Sequence, residues 1–152
     1  MTPADPLLEA AFTETLVKTA RKLRTRFNAE VMRHGLTYPR ARVLAVLADR
    51  QPLRQADLAA ELELEGPTVV RLLDGMETLG LIARRAVTGD RRAKHVELTE
   101  RGACQAEVVA AISRRLRETI LAGSDAAALE AALGVLRAIA DTLDGPVEGG
   151  GK

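Results

Sequence analysis

Aromatic residues are nearly absent: the 152-residue chain has one tyrosine, two phenylalanines and no tryptophan. Its interior must therefore be built from Leu, Val, Ile and Ala, a set that suits helices packed on helices. Cysteine is as scarce. Cys104, the single one, has no partner for an internal disulfide, and a reducing cytoplasm is the expected setting. The histidines, His34 and His95, lack the companions that a metal site or a catalytic dyad needs. No Gly-rich phosphate loop or nucleophile–base arrangement occurs, so neither an enzyme nor a cofactor is expected. No apolar run reaches the roughly eighteen residues of a membrane span, and the N-terminus does not read as a signal peptide. Excess charge is missing too: 22 basic residues face 21 acidic ones, for a net charge of +1. Bulk electrostatics thus gives no argument for a nucleic-acid partner, and only local clustering could.

What is present is 47% apolar and 28% charged residue content, an ordinary globular balance with room for one sizeable core or a small domain with helical extensions. Residues 1–6 and 144–152 read as frayed ends, the latter rich in glycine. Leu16, Ala20, Leu23, Phe27 and Val31 form an apolar stripe at helical spacing, predicting a first helix from Leu7 to His34 that Gly35 stops. Thr37 is placed to cap a second helix, with Pro39 in its first turn and Val43, Leu44, Val46 and Leu47 inward. After the break at Gln51-Pro52-Leu53, a short helix from Gln55 to Leu62 turns Leu58, Ala59 and Leu62 inward. Gly66-Pro67 opens the next helix, which carries Val70, Leu73, Met76 and Leu79 and ends at Gly80. The pattern then changes to two short strands, Leu81–Val87 and Lys94–Leu98, around the turn Thr88-Gly89-Asp90-Arg91-Arg92. Two helices follow, one bearing Val109, Ile112 and Leu116, the other Leu129, Leu133, Leu136 and Leu143.

The Gln55–Leu62 helix, its tight turn and the helix from Pro67 have the spacing of a helix-turn-helix, whose second member enters the DNA major groove. On that member Thr68 suits a base or phosphate, Val69 offers a methyl surface to thymine, and Arg71 has the planar fork for guanine or phosphate. Local clustering appears at the hairpin, where Arg84, Arg85, Arg91, Arg92 and Lys94 face only Asp90. A thin, cationic tip is what a minor-groove probe needs, and Asp90 is expected to fold it by bonding nearby amides or an arginine. The outer helices carry apolar stripes that the small central unit cannot cover. Their burial, at about 25 cal/mol per Å2, calls for packing among themselves and across a two-fold axis with a second copy.

From Leu36 to Gly102 the chain resembles the MarR family of bacterial regulators, and its SlyA branch in particular. The branch's E-x-P-S/T-x-V-R pattern appears as Glu65, Pro67, Thr68, Val70 and Arg71, and the wing's D-R-R-A-K as Asp90 to Lys94. The resemblance implies a mainly α fold with a small β-hairpin, a winged helix-turn-helix flanked by dimerisation helices. It implies a homodimer with recognition helices in successive major grooves of an inverted repeat and Arg91 in the minor groove. Two departures bear on the operator sequence. Gly66 stands where the branch often has glutamine, and Arg54 replaces a small hydroxyl residue, losing a cap and adding a candidate phosphate contact beside Gln55.

Members of the family commonly bind small anionic, often aromatic, molecules between the dimerisation helices and the DNA-binding lobe. The similar positions here are Arg21 and Arg24 on the first helix and Ala41 and Ala45 on the second, where alanines leave room for a ring. The expected organisation is therefore a dimerisation region at 1–35 and 100–145, a DNA-binding domain at 36–99 and a flexible tail at 146–152. The expected function is ligand-responsive transcriptional regulation, more specifically repression. The alternative is a helical interaction protein of the same fold that acts through a protein partner without specific DNA binding.

Overall fold

Proline and glycine punctuate the chain where its helices begin and end. The computed structural model describes residues 4–145, apart from the side chain of Arg91. Residues 1–3 and the expected tail at 146–152 lie outside the described residues. Helix α1, Pro6–Met32, starts with the Asp5 carboxylate accepting the Leu7 N–H at 3.0 Å and proline in the first turn. The end expected to fray through residue 6 is thus a capped helix start. Gly35 takes a left-handed φ of 74° beyond α1, and the Leu36 N–H reaches back to the Val31 carbonyl at 3.2 Å.

Helix α2, Tyr38–Asp49, is not capped by the Thr37 side chain as expected. Asn28 of α1 does the work from outside, its amide oxygen accepting the Tyr38 N–H at 3.2 Å. Strand β1, Leu53–Arg54, leads into α3, Gln55–Leu62, and α4, Gly66–Thr78. Gly80, at φ 70°, closes α4: its N–H bonds Glu77 O at 2.9 Å while the Leu81 N–H bonds Met76 O at 3.0 Å. These paired bonds satisfy carbonyls that the helix end would otherwise orphan.

Strands β2, Ile82–Val87, and β3, Asp90–Leu98, form the expected hairpin, and β1 adds to it in an antiparallel sheet of order β1-β3-β2. The pairing aligns Ile82 with Leu98, Arg84 with Val96 and Leu53 also with Val96. Strand β1 is the addition to the sequence reading; its two residues are too few to display a period of two. Gln51 extends the edge, its side-chain oxygen accepting the Leu98 N–H at 2.8 Å.

Helix α5, Glu100–Ile120, begins with a close approach that only glycine permits. A Cβ on Gly102 would lie 1.8 Å from the Leu81 carbonyl oxygen. Thr99 ties the same spot, donating to Gly80 O at 2.6 Å and accepting the Gly102 N–H at 3.0 Å. The core gathers Val31 and Leu36, Leu44 and Leu47 of α2, Leu58 and Leu62 of α3, Leu73 and Met76 of α4, Ile82 and Val96 of the sheet, and Val109 and Ile112 of α5.

The chain divides into two compact units after Leu116, and this core belongs to the first. The second comprises the last turn of α5 and helix α6, Ala126–Asp144, whose first turn is capped by Asp125 accepting the Ala128 N–H at 3.1 Å. No residue of α6 is buried, and Leu129, Leu133, Val135, Leu136 and Leu143 all stand exposed. Among the described residues no helix is long and apolar enough to cross a membrane.

Candidate nucleic-acid interface

The angle between α3 and α4 is set by backbone hydrogen bonds and one arginine. Glu63 adopts a left-handed φ of 54°, and Leu64 N–H returns to Ala59 O at 3.0 Å. Arg42 of α2 donates to the Leu62 and Glu61 carbonyls at 3.0 and 3.4 Å, placing a cation at the carbonyl end of α3. Arg50 reaches the same helix through Glu61 at 2.8 Å, a pairing that raises the Arg50 pKa through hydrogen bond and charge. The turn is therefore held from two sides.

Helix α4 buries Val69, Leu73 and Met76, spaced four and three apart, and so turns Pro67, Thr68, Arg71 and Asp74 outward. This corrects the reading of Val69: it is wholly buried, and no thymine methyl can reach it. Adjacent valines made two helix phases compatible with one pattern, and Val70, 38% exposed, is the valine on the surface. Arg71 is exposed and makes no ion pair or hydrogen bond among the described residues. Gly66 and Pro67 are exposed at the start of α4. Arg54 stands exposed at the start of α3, its side chain taking no part in capping. Gln55, next to it, is half-buried with its side-chain oxygen buried and without a partner.

The hairpin is tighter than expected. Thr88-Gly89 alone makes the turn, with Gly89 at φ 87°, and Asp90 to Arg92 belong to β3. Val87 faces Asp90 while Ala86 faces Lys94, an irregularity that sets Arg91 to Ala93 off the regular ladder. Asp90 folds the tip as anticipated, its carboxylate accepting the Arg92 N–H at 2.9 Å. Arg92 and Lys94 are exposed, and the Arg91 side chain lies outside the described residues.

Arg84 is the second correction. Rather than facing DNA, its side chain is only 13% exposed and is held by Asp74 and Glu77 of α4, the latter at 3.1 Å. Hydrogen bonding from Arg84 holds the Glu77 carboxyl below the usual carboxylate range, and the acids raise the Arg84 pKa in turn. Asp74 shares the outer face of Arg71, one turn away at most, so its charge would repel phosphate if left bare. Arg84 offsets part of that charge and links the wing to α4 in the same contact. Arg85 is likewise engaged, pairing with Glu97 across the strands.

The four residues expected to line a ligand crevice are not brought together. Ala41 is fully buried in the core and so is corrected as a lining residue, because its helix faces inward at 41, 44 and 47. Ala45, Arg21 and Arg24 are exposed. Two shallow grooves on α1 pass Arg21, one beside Thr13 and Val17, the other beside Thr25 and Ala29, and neither touches Arg24 or Ala45. The Arg24 guanidinium instead lies 5.4 Å from the Tyr38 ring centre, with Phe27 edge-on to that ring at 5.9 Å. Tyr38 was missed in the sequence reading, although the chain's single tyrosine beside Pro39 was the available signal. Cys104 is exposed, and the described residues contain no cluster of three His, Cys, Asp or Glu suited to a metal.

The sequence model of the MarR family matches residues 34–93. A crystal structure of transcriptional regulator PA3341 is similar at 36% identity, over 88% of this chain and 98% of that one, with a TM-score of 0.79. AbsC, a MarR family transcriptional regulator from Streptomyces coelicolor, is similar at 26% identity over 96% and 100% of the two chains, with a TM-score of 0.76. Staphylococcus aureus MepR in a DNA complex shares the fold at a TM-score of 0.80 and 22% identity, over 86% of this chain and 97% of that one.

Proposed function

This chain belongs to the MarR family of transcriptional regulators, and from that premise we propose that it is a ligand-responsive repressor that binds an inverted-repeat operator as a homodimer. One observation carries the DNA-binding part. The outer face of α4 presents Thr68 and an unengaged Arg71 beside a hairpin with exposed Arg92 and Lys94, while Arg84 holds both acids of α4. Helix α4 enters the major groove, where Arg71 reads a base edge or a phosphate, and the wing follows the adjacent minor groove with Arg91 and Arg92. Gly66, Pro67, Arg54, Gln55 and Lys94 complete the contact surface. The Glu65-to-Arg71 and Asp90-to-Lys94 runs support a place in the SlyA-like branch.

The dimer part is supported by apolar residues left in water: Leu7, Leu8 and Val17 on α1, and Leu129, Leu133 and Leu136 on α6. Residues 1–35 and 100–145 supply this interface, and 36–99 the DNA-binding domain. Two-fold symmetry presents two α4 helices about one duplex turn apart, and occupancy of such an operator in a promoter blocks transcription. The test is a footprint on the DNA upstream of its own gene. A symmetric protected site whose halves lie about 10 base pairs apart is expected; no protection at any site would leave the protein-partner alternative standing.

The effector part rests on Arg24 and the Tyr38 ring, cation and aromatic face side by side, which suit a small aromatic carboxylate, with Arg21 exposed on the same helix. Such an acid binding there favours one spacing of the two α4 helices and lowers operator affinity by about 5- to 150-fold. Calorimetry with salicylate, on wild type and Arg24→Ala, checks it. Equal heats from the two proteins, or binding that leaves operator affinity unchanged, would remove this part alone.

A further inference from the structure

Helix α4 is flanked on one side by the wing, through Asp74 and Glu77, and on the other by a residue of α2 that the sequence reading did not single out. Nη2 of Arg40 lies 3.8 Å from where a Cβ on Gly75 would stand. Gly75 follows Arg71 by four residues, so the two lie one above the other on the same helix face. The Arg40 guanidinium therefore sits beside the track that Arg71 and Thr68 define.

Nothing inside the described residues explains the charge there. Arg40 occupies the first turn of α2, where the helix dipole disfavours a cation, and that turn holds no acidic residue. It makes no ion pair or hydrogen bond among the described residues and is half-buried. Arginines elsewhere in the same unit are engaged: Arg42 with carbonyls of α3, Arg50 with Glu61, Arg84 with two acids. Gly75, for its part, weakens a helix interior that alanine would strengthen. A Cβ there would make only ordinary contact, but any longer side chain would take the space the guanidinium fills. A half-buried cation lacking a counter-charge, seated beside the exposed Arg71 and Thr68 of α4, is suited to an anion.

We infer that Arg40 is a phosphate-binding residue, gripping the DNA backbone on the side of α4 opposite the wing, with Gly75 as its seat. This rests on the reading that α4 enters the major groove. Backbone contacts carry no sequence information, so Arg40 adds affinity and register and leaves specificity to Arg71 and its neighbours.

The experiment measures duplex binding by full-length wild type, Arg40→Gln, Arg40→Lys, Gly75→Ala and Gly75→Gln across a salt series, on the footprinted operator and on an unrelated duplex. One lost phosphate contact lowers the slope of log affinity against log salt by about 0.9, or about eightfold in affinity near 0.1 M salt. Arg40→Gln should show that loss equally on both duplexes, Arg40→Lys should restore the slope, and Gly75→Ala should behave as wild type. Gly75→Gln, which leaves Arg40 in the chain and displaces its head, should reproduce the loss and guards against a folding defect in Arg40→Gln. An unchanged slope in Arg40→Gln overturns the inference, as does a loss confined to the operator, which would mean base readout. Failure of the wild type to bind either duplex would instead sink the DNA-binding reading itself.

Discussion

Helices α4 and α6 both carry large apolar residues at helical spacing, yet they stand in opposite environments. Helix α4 sends Val69, Leu73 and Met76 into a core shared with α2, α3, α5 and the sheet. Helix α6 carries Leu129, Leu133 and Leu136 at the same spacing and buries none of them; Leu133 is 45% exposed. The contrast teaches that the chain completes its first unit internally and leaves its last helix unfinished. An apolar face of that kind gains free energy only by meeting another, whereas the face of α4 has already done so.

Substitutions at matched positions break or sharpen this contrast. Leu73→Ala should show the largest effect, about 2–5 kcal/mol of lost stability from a cavity in a closed core. Urea unfolding should return that loss at every protein concentration. Leu133→Asp should act through association instead. Sedimentation at low micromolar concentration should find wild type dimeric and the variant monomeric, and only wild type should melt at a temperature that rises with its concentration. A well-folded wild-type monomer would end the dimer reading, and equal concentration dependence in both would separate α6 from the interface.

Within the first unit, Arg71 and Arg84 sharpen the same distinction between open and completed groups. Arg71→Ala should cost about 1–3 kcal/mol at the operator if it reads a base edge, with the melting temperature unchanged. Arg84→Met, keeping the stem and removing the charge, should weaken operator binding less and raise amide exchange along the hairpin. The smallest effect is that of pH. Because Arg84 holds the Glu77 carboxyl low, the contact is at full strength above the ordinary carboxylate range and fades as pH falls through and below it. Hairpin amide exchange should rise more steeply on acidification in wild type than in Glu77→Gln, where the Asp74 contact remains; parallel profiles would mean that Glu77 does not hold the wing.

How far the sequence shows all this depends on whether the cause is local. The span Gln55–Leu62 and the start of α4 were legible because proline, glycine and a short run of leucines act within a few residues. Asp90 was legible for the same reason: its hydrogen bond runs two residues along the chain. Strand β1 was not, because its pairing partner lies about 40 residues away and two residues hold no pattern. The phase of α4 was ambiguous between Val69 and Val70 until the core of α2 and α5 chose one. Arg84 and Arg92 look alike in a string of wing cations; only the arrival of Asp74 and Glu77 from another element separates a fastened arginine from a free one. Ala41 and Arg40 diverge in the same way, one drawn into the core and the other left beside Gly75, for reasons that exist only once α2 lies against its neighbours.

The contact between Gly102 and Leu81 has a mechanical meaning. Where side chains separate two elements, they yield before the backbones do; here there is no side chain to yield, and the Gly102 amide of α5 is tied through Thr99 to the Gly80 carbonyl just beyond α4. Helix α5 has 21 residues, so at about 1.5 Å per residue it is a rod roughly 30 Å long, pinned at its first turn. A displacement of the first turn of α5 is therefore passed directly to the backbone that follows α4.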